Sequence, residues 1–209
     1  MHSTLSEVRI GNRDFNFYTG LLMQSLLETD MDTTVKAIGT NSLTAVSAVN
    51  WVYRNLRKPE FGVVKVRYGK IKIGEEMTEH YGWRPFIEIP CRVVKDEVEG
   101  YRAPTDLDTT PWSGKLEYVN NLWRDTLVNI YFRGLADNKQ MNLCGADEHL
   151  IDAISIFNIM QKRMTGLDVN YEDVEIGYKP HQKTEQPILE FRGKYDPCIK
   201  IVVTAKEKG

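Results

Sequence analysis

The fold is decided by the stretch Val35-Lys36-Ala37-Ile38-Gly39, which is rich in strand-forming residues and ends at a glycine. An apolar stripe at helical spacing follows it from Leu43 to Leu56. The same succession recurs as Met141-Asn142-Leu143-Cys144-Gly145, followed by a helical stripe from Leu150 to Arg163. An internal repeat of strand, glycine and helix predicts two copies of one structural unit.

The rest of the first copy can be worked out from the same patterns. A short strand at Val8–Gly11 and a helix at Phe15–Leu27, with Phe17 in its core, precede the repeat. A long strand with a change of phase follows at Val63–Ile73, which predicts a bulge at Tyr68-Gly69. After a polar loop, the last strand contains Pro90, which predicts an edge strand or a bulge. The order is β-α-β-α-β-β.

The second copy repeats this order. Lys72-Ile73-Gly74 is echoed by Glu175-Ile176-Gly177, and Phe86-Ile87-Glu88-Ile89 is echoed by Cys198-Ile199-Lys200-Ile201. The segment between the copies is acidic and contains Gly100, Pro104 and Pro111, which is typical of a linker. We therefore predict a first module at 1–96, a linker at 97–115 and a divergent second module at 116–209.

The first module resembles the Alba family of nucleic-acid-binding proteins. The resemblance depends on four stretches in the family's order: Val8-Arg9-Ile10-Gly11-Asn12-Arg13, Val35–Gly39 with Leu43-Thr44-Ala45-Val46, Lys70–Gly74, and Phe86–Ile89. It implies an α/β fold (an α+β sandwich), in which each module is a four-stranded sheet with two helices on one side. Because the family forms dimers, it also implies that the two modules pack as an intramolecular pseudo-dimer.

The function implied by the resemblance is binding of RNA, DNA or both, without catalysis. Members of the family include archaeal chromatin and RNA-binding proteins and a protein pair of ribonuclease P and MRP, which implies a role in chromatin or a ribonucleoprotein. The family's basic turn, usually Gly-Lys-Lys, is Gly11-Asn12-Arg13 here, with one basic residue of two. The matching turn of the second module, Val119-Asn120-Asn121, has none.

Local charge supports this function better than the net charge of −2. Between residues 54 and 72 there are seven basic residues and a single acidic one, Glu60. Such a run of positive charge can lie along a phosphate backbone. A solvated strand face is the alternative interpretation. The predicted nucleic-acid contacts are Asn12, Arg13, Lys36, Arg54, Arg57, Lys65, Arg67, Lys70, Lys72, Trp83, Arg84, Lys179 and Lys183.

Two loops are predicted as arms that reach the nucleic acid. The loop Glu75–Arg84 contains His80, Tyr81, Trp83 and Arg84, and aromatic residues beside cations can stack on unpaired bases. The segment Tyr178–Lys194 is the second arm. Trp51 and Trp123 fall on helices, where packing is the expected role of a tryptophan.

Catalytic, metal and cofactor sites are not expected. The four histidines are far apart and form no H-E-x-x-H motif, and the three cysteines have no C-x-x-C spacing. No nucleophile elbow or phosphate-binding loop is found. The protein is therefore predicted not to be an enzyme, with no small-molecule substrate.

A protein-interaction or scaffold subunit of a ribonucleoprotein or chromatin complex, with little nucleic-acid binding of its own, is the alternative function. The expected partners are RNA or DNA, and an Alba-like or other protein subunit. No run of about 20 apolar residues is present, so no membrane partner is expected. An intracellular location is expected, in the nucleus rather than the cytoplasm.

Overall fold

The computed structural model describes residues 6–28, 32–56, 64–181 and 195–209, which form an α+β fold with two mixed sheets and four helices. The elements of the first half are β1 (Ser6–Arg9), α1 (Phe15–Glu28), β2 (Thr33–Ile38), α2 (Asn41–Leu56), β3 (Lys65–Tyr68), β4 (Lys72–Thr78) and β5 (Gly82–Val94). Those of the second half are β6 (Thr105–Asp106), β7 (Leu116–Tyr118), α3 (Arg124–Asn138), β8 (Gln140–Ala146), α4 (His149–Arg163), β9 (Leu167–Pro180) and β10 (Tyr195–Glu207).

The two sheets have the same strand order. In the first, β1 pairs in parallel with β2, β5 lies beside β2, and β3 and β4 both pair with the far side of β5. In the second, β7 pairs in parallel with β8, β10 lies beside β8, and β9 pairs with the far side of β10. The short β6 extends the second sheet beyond β9, so this sheet has five strands rather than the four predicted, and the predicted linker contributes one of them.

The irregularity in the first sheet is a bulge opposite Pro90. Tyr68 pairs with Cys91 and Lys72 pairs with Glu88, so three residues of one strand oppose two of the other. The bulge predicted at Tyr68-Gly69 is confirmed. The edge-strand alternative for Pro90 is wrong, because β5 is hydrogen-bonded on both sides. The predicted polar loop at 74–84 is also wrong in extent, because β4 and β5 continue into it and leave only a tight turn.

Helices α2 and α4 lie between the two halves and are buried on most of their surface. Each packs on its own sheet and against the other half: α2 contacts β9 and β10, and α4 contacts β4 and β5. The core is therefore continuous between the two halves. Burial of apolar side chains from both halves in one core is the main force that holds them together.

Reciprocal hydrogen bonds join the two halves. The Asn50 side-chain amide donates to the Gly177 carbonyl oxygen (3.0 Å), and the Asn158 amide donates to the Gly74 carbonyl oxygen (2.9 Å). Asn50 is on α2 and Asn158 is at the corresponding place on α4. Each glycine is the one that the sequence repeat pairs with the other, so these two hydrogen bonds are reciprocal.

A second reciprocal pair lies beside the first. The Ile176 N–H donates to the Tyr68 hydroxyl oxygen (3.2 Å), and the Ile73 N–H donates to the Tyr171 hydroxyl oxygen (3.5 Å). Tyr68 is fully buried, and this burial raises the pKa of its hydroxyl. The segment between the halves adds Arg102, which makes a two-pronged contact with Asp173 (2.6 and 2.7 Å).

Three residue predictions need correction. Phe17, predicted in the core, is 48% exposed, because α1 buries its neighbour Tyr18 instead. Trp123, predicted to pack, is 86% exposed because it precedes the first turn of α3. Gly39, matched to Gly145 in the sequence, corresponds in the structure to Asp147, since both directly follow a strand and have positive φ (59° and 49°).

Candidate nucleic-acid interface

Three segments of the first half meet at one end of its sheet. Because β1 and β2 are parallel, the turn after β1 and the start of α2 lie at the same end. The Ile10 N–H donates to the Lys36 carbonyl oxygen (2.9 Å), and the Gly39 N–H donates to the Pro85 carbonyl oxygen (2.7 Å). The second bond places the β4–β5 hairpin beside the first residues of α2. We call these three segments, 11–14, 39–44 and 78–85, the hairpin end.

The hairpin projects two exposed aromatic rings. Its turn is held by Thr78, whose hydroxyl donates to the Gly82 carbonyl oxygen (2.9 Å) and accepts from the Tyr81 N–H (3.2 Å). Gly82 has a φ of 68°, a conformation that favours glycine. Tyr81 is 72% exposed and Trp83 is 59% exposed, and the Arg84 guanidinium lies 5.5 Å from the centre of the Tyr81 ring. Exposed rings beside a cation can stack on unpaired bases.

The turn after β1 presents a second pair of this kind. The Tyr18 hydroxyl oxygen accepts from the N–H groups of Gly11 (2.7 Å) and Arg13 (3.2 Å), and this holds the turn against α1. The exposed Arg13 then lies with its guanidinium 5.8 Å from the centre of the Phe17 ring. A basic residue here was predicted, but its aromatic neighbour was not, because Phe17 was expected in the core.

A groove of about 690 Å³ runs from the hairpin end to the second half. One wall is the start of α2 and the hairpin residues 83–85, and the other is Glu148, the part of α4 up to Ile159, and Arg124. Its charges largely cancel, because Arg124 pairs with Asp152 (2.9 Å) and Glu75 pairs with Lys162. Because these charges are paired, the groove is not a strongly positive channel. Trp83 lies in its wall, where a strand of nucleic acid in the groove would pass it.

The predicted basic strand is less available than the sequence indicated. The Lys36 ammonium lies between the carboxylates of Glu76 (3.1 Å) and Glu88 (3.3 Å). The hydrogen bond to Glu76 raises the pKa of Lys36, and the bond to Glu88 adds to this. Arg67 has a largely buried side chain and lies 3.6 Å from Glu97. Lys65 is half-buried, whereas Lys70 and Lys72 are exposed. Of these five basic residues, only Lys70 and Lys72 expose their side chains to solvent.

Other predicted contacts lie away from the hairpin end. The Arg54 guanidinium lies over Tyr195 (3.9 Å from the ring centre) and Tyr178 (5.4 Å), and burial lowers its pKa. Arg54 is therefore a packing residue between α2 and the second sheet. Lys179 is half-buried near the end of β9. Arg57 and Lys183, with most of the second predicted arm, lie outside the described residues.

The second half differs at the turn that corresponds to residues 11–14. Leu122 is 52% exposed and Trp123 is 86% exposed, and Ile130 on the following helix is also exposed. Arg124, next in the chain, is engaged by Asp152. The Val119 N–H donates to the Cys144 carbonyl oxygen as the Ile10 N–H does to Lys36, so Arg13 corresponds to Leu122 and not, as the sequence match had it, to Asn121. The place that carries Arg13 in the first half thus carries an apolar side chain in the second.

The described residues contain neither a cluster of metal-binding side chains nor a membrane-spanning helix. No group of three His, Cys, Asp or Glu residues in the described ranges could hold a metal ion. Within the same part of the chain, no helix has the length and apolar character needed to cross a membrane. The three cysteines are buried free thiols, and burial raises the pKa of Cys144 and Cys198 to about 12.

Comparison with known proteins finds a similarity among solved structures and none in sequence. No family model and no curated protein matches the sequence. Among solved structures, the chain is similar to Alba from Thermoplasma volcanium, with 12% sequence identity and a TM-score of 0.36. The match covers 43% of this chain and 99% of that chain.

Proposed function

We propose that this protein is a non-catalytic nucleic-acid-binding protein that contacts unpaired bases of RNA or DNA with the hairpin end. The observation that carries the proposal is the pair of exposed rings, Tyr81 and Trp83, next to Arg84 on the β4–β5 hairpin. Stacking on such rings contributes about 1–3 kcal/mol per base. Arg13 with Phe17 at the neighbouring turn, and the exposed Lys70 and Lys72, supply cations for the phosphates.

The protein is proposed to act as two Alba-like modules, 1–96 and 116–209, joined by residues 97–115 and packed as an intramolecular pseudo-dimer. The reciprocal bonds of Asn50 and Asn158 support this arrangement. A chain that fills its own dimer interface needs no second copy to complete a binding surface. We also propose a nuclear role in chromatin or a ribonucleoprotein. The distribution of a fluorescent fusion protein between nucleus and cytoplasm would test it.

The test is binding of labelled single-stranded RNA, duplex RNA and duplex DNA, measured by fluorescence anisotropy at two salt concentrations. We expect the single strand to bind most tightly, with affinity that falls as salt rises. The double variant Tyr81→Ala with Trp83→Ala should lose about 10- to 100-fold in affinity, from the loss of one or two stacking contacts. Trp123→Ala is the matched control, since it removes an exposed tryptophan from the other half and should leave binding unchanged.

A charge reversal separates the hairpin from the basic strand. If Lys65→Glu with Arg67→Glu abolishes binding and the aromatic variant does not, the contact lies on the strand and the hairpin proposal fails. Equal binding of all three nucleic acids by the wild type and the aromatic variant would contradict it as well. Circular dichroism of each variant shows whether the fold is retained.

A scaffold function is the second candidate, and one observation favours it. Leu122, Trp123 and Ile130 are apolar and exposed on the second half, where a protein partner could cover them. In this case Trp123→Ala would weaken capture of a partner protein, whereas Tyr81→Ala with Trp83→Ala would not. The two variants therefore give opposite results for the two functions.

A further inference from the structure

A cavity of about 410 Å³ lies in the second half, away from the hairpin end. Its walls are the segment before β7, the edge of the second sheet at Tyr118, and the end of β9. The lining residues are Leu107, Asp108, Pro111, Trp112, Leu116, Tyr118, Lys179, Pro180 and His181. Cavities of about 300–1,000 Å³ are the usual size for small-ligand sites.

Trp112 brings an unsatisfied hydrogen-bond donor to this cavity. Its ring is 9% exposed and packs on Cys144 and Cys198. A Cβ at Gly177 would lie 3.3 Å from the ring, so glycine is what lets the indole approach the sheet this closely. The buried indole N–H has no acceptor among the residues that the structure describes. A buried donor without an acceptor destabilises the folded protein, so an acceptor oxygen supplied by a ligand is favourable here.

His181 brings a second unpartnered nitrogen. Its Nδ1 lies 2.6 Å from the carboxylate of Asp196, which is 7% exposed. The carboxylate can only accept, so Nδ1 carries the hydrogen and the ring orientation is fixed. Its Nε2 is buried and, in the described ranges, has no hydrogen-bond partner. The ammonium of Lys179, two residues before it, adds positive charge to the same wall.

We infer that this cavity binds a phosphate group attached to a nucleoside. The indole N–H and the Lys179 ammonium are two donors for phosphate oxygens, and His181 Nε2 is a third where the phosphate shares its proton with this nitrogen. Tyr118, which is 44% exposed, and the two prolines offer flat surfaces for a base, and Asp108 can accept from a base amine or a ribose hydroxyl. This site goes beyond the proposed function, because its residues lie outside the hairpin end and it holds one nucleotide rather than a strand.

The phosphate can belong to a free nucleotide or to the 5′ end of a nucleic acid. The indole N–H resonances of the tryptophans distinguish the two in a titration followed by NMR, with the Trp112 resonance assigned by its loss in Trp112→Phe. The probes are adenosine monophosphate, inorganic phosphate, adenosine, and a short RNA with and without a 5′ phosphate. We expect the Trp112 proton to move downfield and saturate with adenosine monophosphate, weakly with inorganic phosphate, and not with adenosine.

The oligonucleotides then identify the source. A shift with the 5′-phosphorylated RNA and none with its hydroxyl form assigns a strand end, and a shift with the mononucleotide alone assigns a free nucleotide. Lys179→Met should weaken binding at least tenfold, while Lys115→Met, a neighbouring exposed lysine outside the cavity, should not. The inference is overturned if no phosphate probe moves Trp112, or if adenosine moves it as much as its monophosphate. The free protein is used throughout, so the result does not depend on nucleic-acid binding at the hairpin end.

Discussion

The two halves of this protein share a framework but differ at their surfaces. In both, a residue with positive φ follows a central strand, β2 or β8, and its N–H donates to a proline carbonyl oxygen: Gly39 to Pro85 (2.7 Å) and Asp147 to Pro197 (2.8 Å). The next helix then starts with the same backbone bond to that residue (3.0 Å in each half). The frameworks therefore correspond residue by residue at this point.

The surfaces at the turn before the first helix of each half do not correspond. The first half presents Asn12 and Arg13, and the second presents Leu122 and Trp123. Under the proposed function, the cation at this turn contacts phosphate in the first half, whereas exposed apolar residues suit a protein partner in the second. The difference teaches that the internal contacts of the fold are retained in both halves while the side chains at this turn are not.

The largest expected effect tests how closely the two frameworks correspond. Gly145 lies where the first half has Ala37, yet a Cβ at Gly145 would meet the His149 carbonyl oxygen at 2.2 Å. Because that atom is backbone, α4 must move away from its sheet, and Gly145→Ala should cost about 3 kcal/mol or more. Ala37→Gly should cost only about 1 kcal/mol. Urea denaturation measures both, and similar values would show that α2 and α4 sit equally close to their sheets.

The reciprocal asparagines test the symmetry between the halves. Asn50→Ala leaves the buried Gly177 carbonyl without its donor and Asn158→Ala leaves the half-buried Gly74 carbonyl without its donor, so each should cost about 1–3 kcal/mol. The Asn50 side-chain oxygen already lacks a partner in the described structure, so its removal recovers part of that cost and Asn50→Ala should be the milder. Thermal denaturation of the two variants compares them, and an unchanged midpoint for both would contradict the assigned bonds.

Much of this framework could be predicted from the sequence. Period-two and helical apolar patterns located the four helices and the succession of strands along the chain except β6, because burial on one face imposes those periods. The repeat was less well aligned, since Gly39 was matched to Gly145 on residue type alone. A better alignment of the repeat matches Ala45-Val46-Ser47-Ala48-Val49-Asn50 with Ala153-Ile154-Ser155-Ile156-Phe157-Asn158. This match places the two asparagines opposite each other.

The candidate sites were harder to predict for a physical reason. The cations Lys36 and Arg67 are paired with carboxylates from other segments, and a charge count along the chain does not reveal such pairs. The cavity around Trp112 forms because the segment between the halves folds back on the second sheet. Trp112 and His181 are far apart in sequence, and no local pattern joins them.

The link between the halves has a pH dependence that can be measured. Two hydrogen bonds from Arg102 lower the pKa of Asp173. Because the folded-state pKa is below the unfolded one, the stabilisation is present above the unfolded pKa and is lost as the pH falls through the folded value. Arg102→Met should cost about 1 kcal/mol at neutral pH, since the pair is half-exposed.

The difference between Arg102→Met and the wild type should shrink as the pH falls below about 4, near the ordinary pKa of an aspartate. Chemical denaturation at a series of pH values measures it. Lys115→Met is the control, because its ion pair with Glu117 lies within the second half and is exposed. A difference that stays constant with pH would show that Arg102 acts by packing on Tyr68, whose ring centre is 5.3 Å from the guanidinium, and not by charge.

The smallest expected effect concerns Gly39 and its counterpart Asp147, which share a backbone conformation with positive φ. At Gly39 a Cβ would meet no atom within 4 Å, so only the positive φ opposes a side chain. Gly39→Ala should therefore cost about 1 kcal/mol. Gly39→Asp should cost less, because aspartate adopts this conformation more readily and Asp147 does so in the second half. Equal thermal midpoints for the two variants would mean that Asp147 is held by its surroundings alone; a higher midpoint for the aspartate would mean that the residue itself favours the turn.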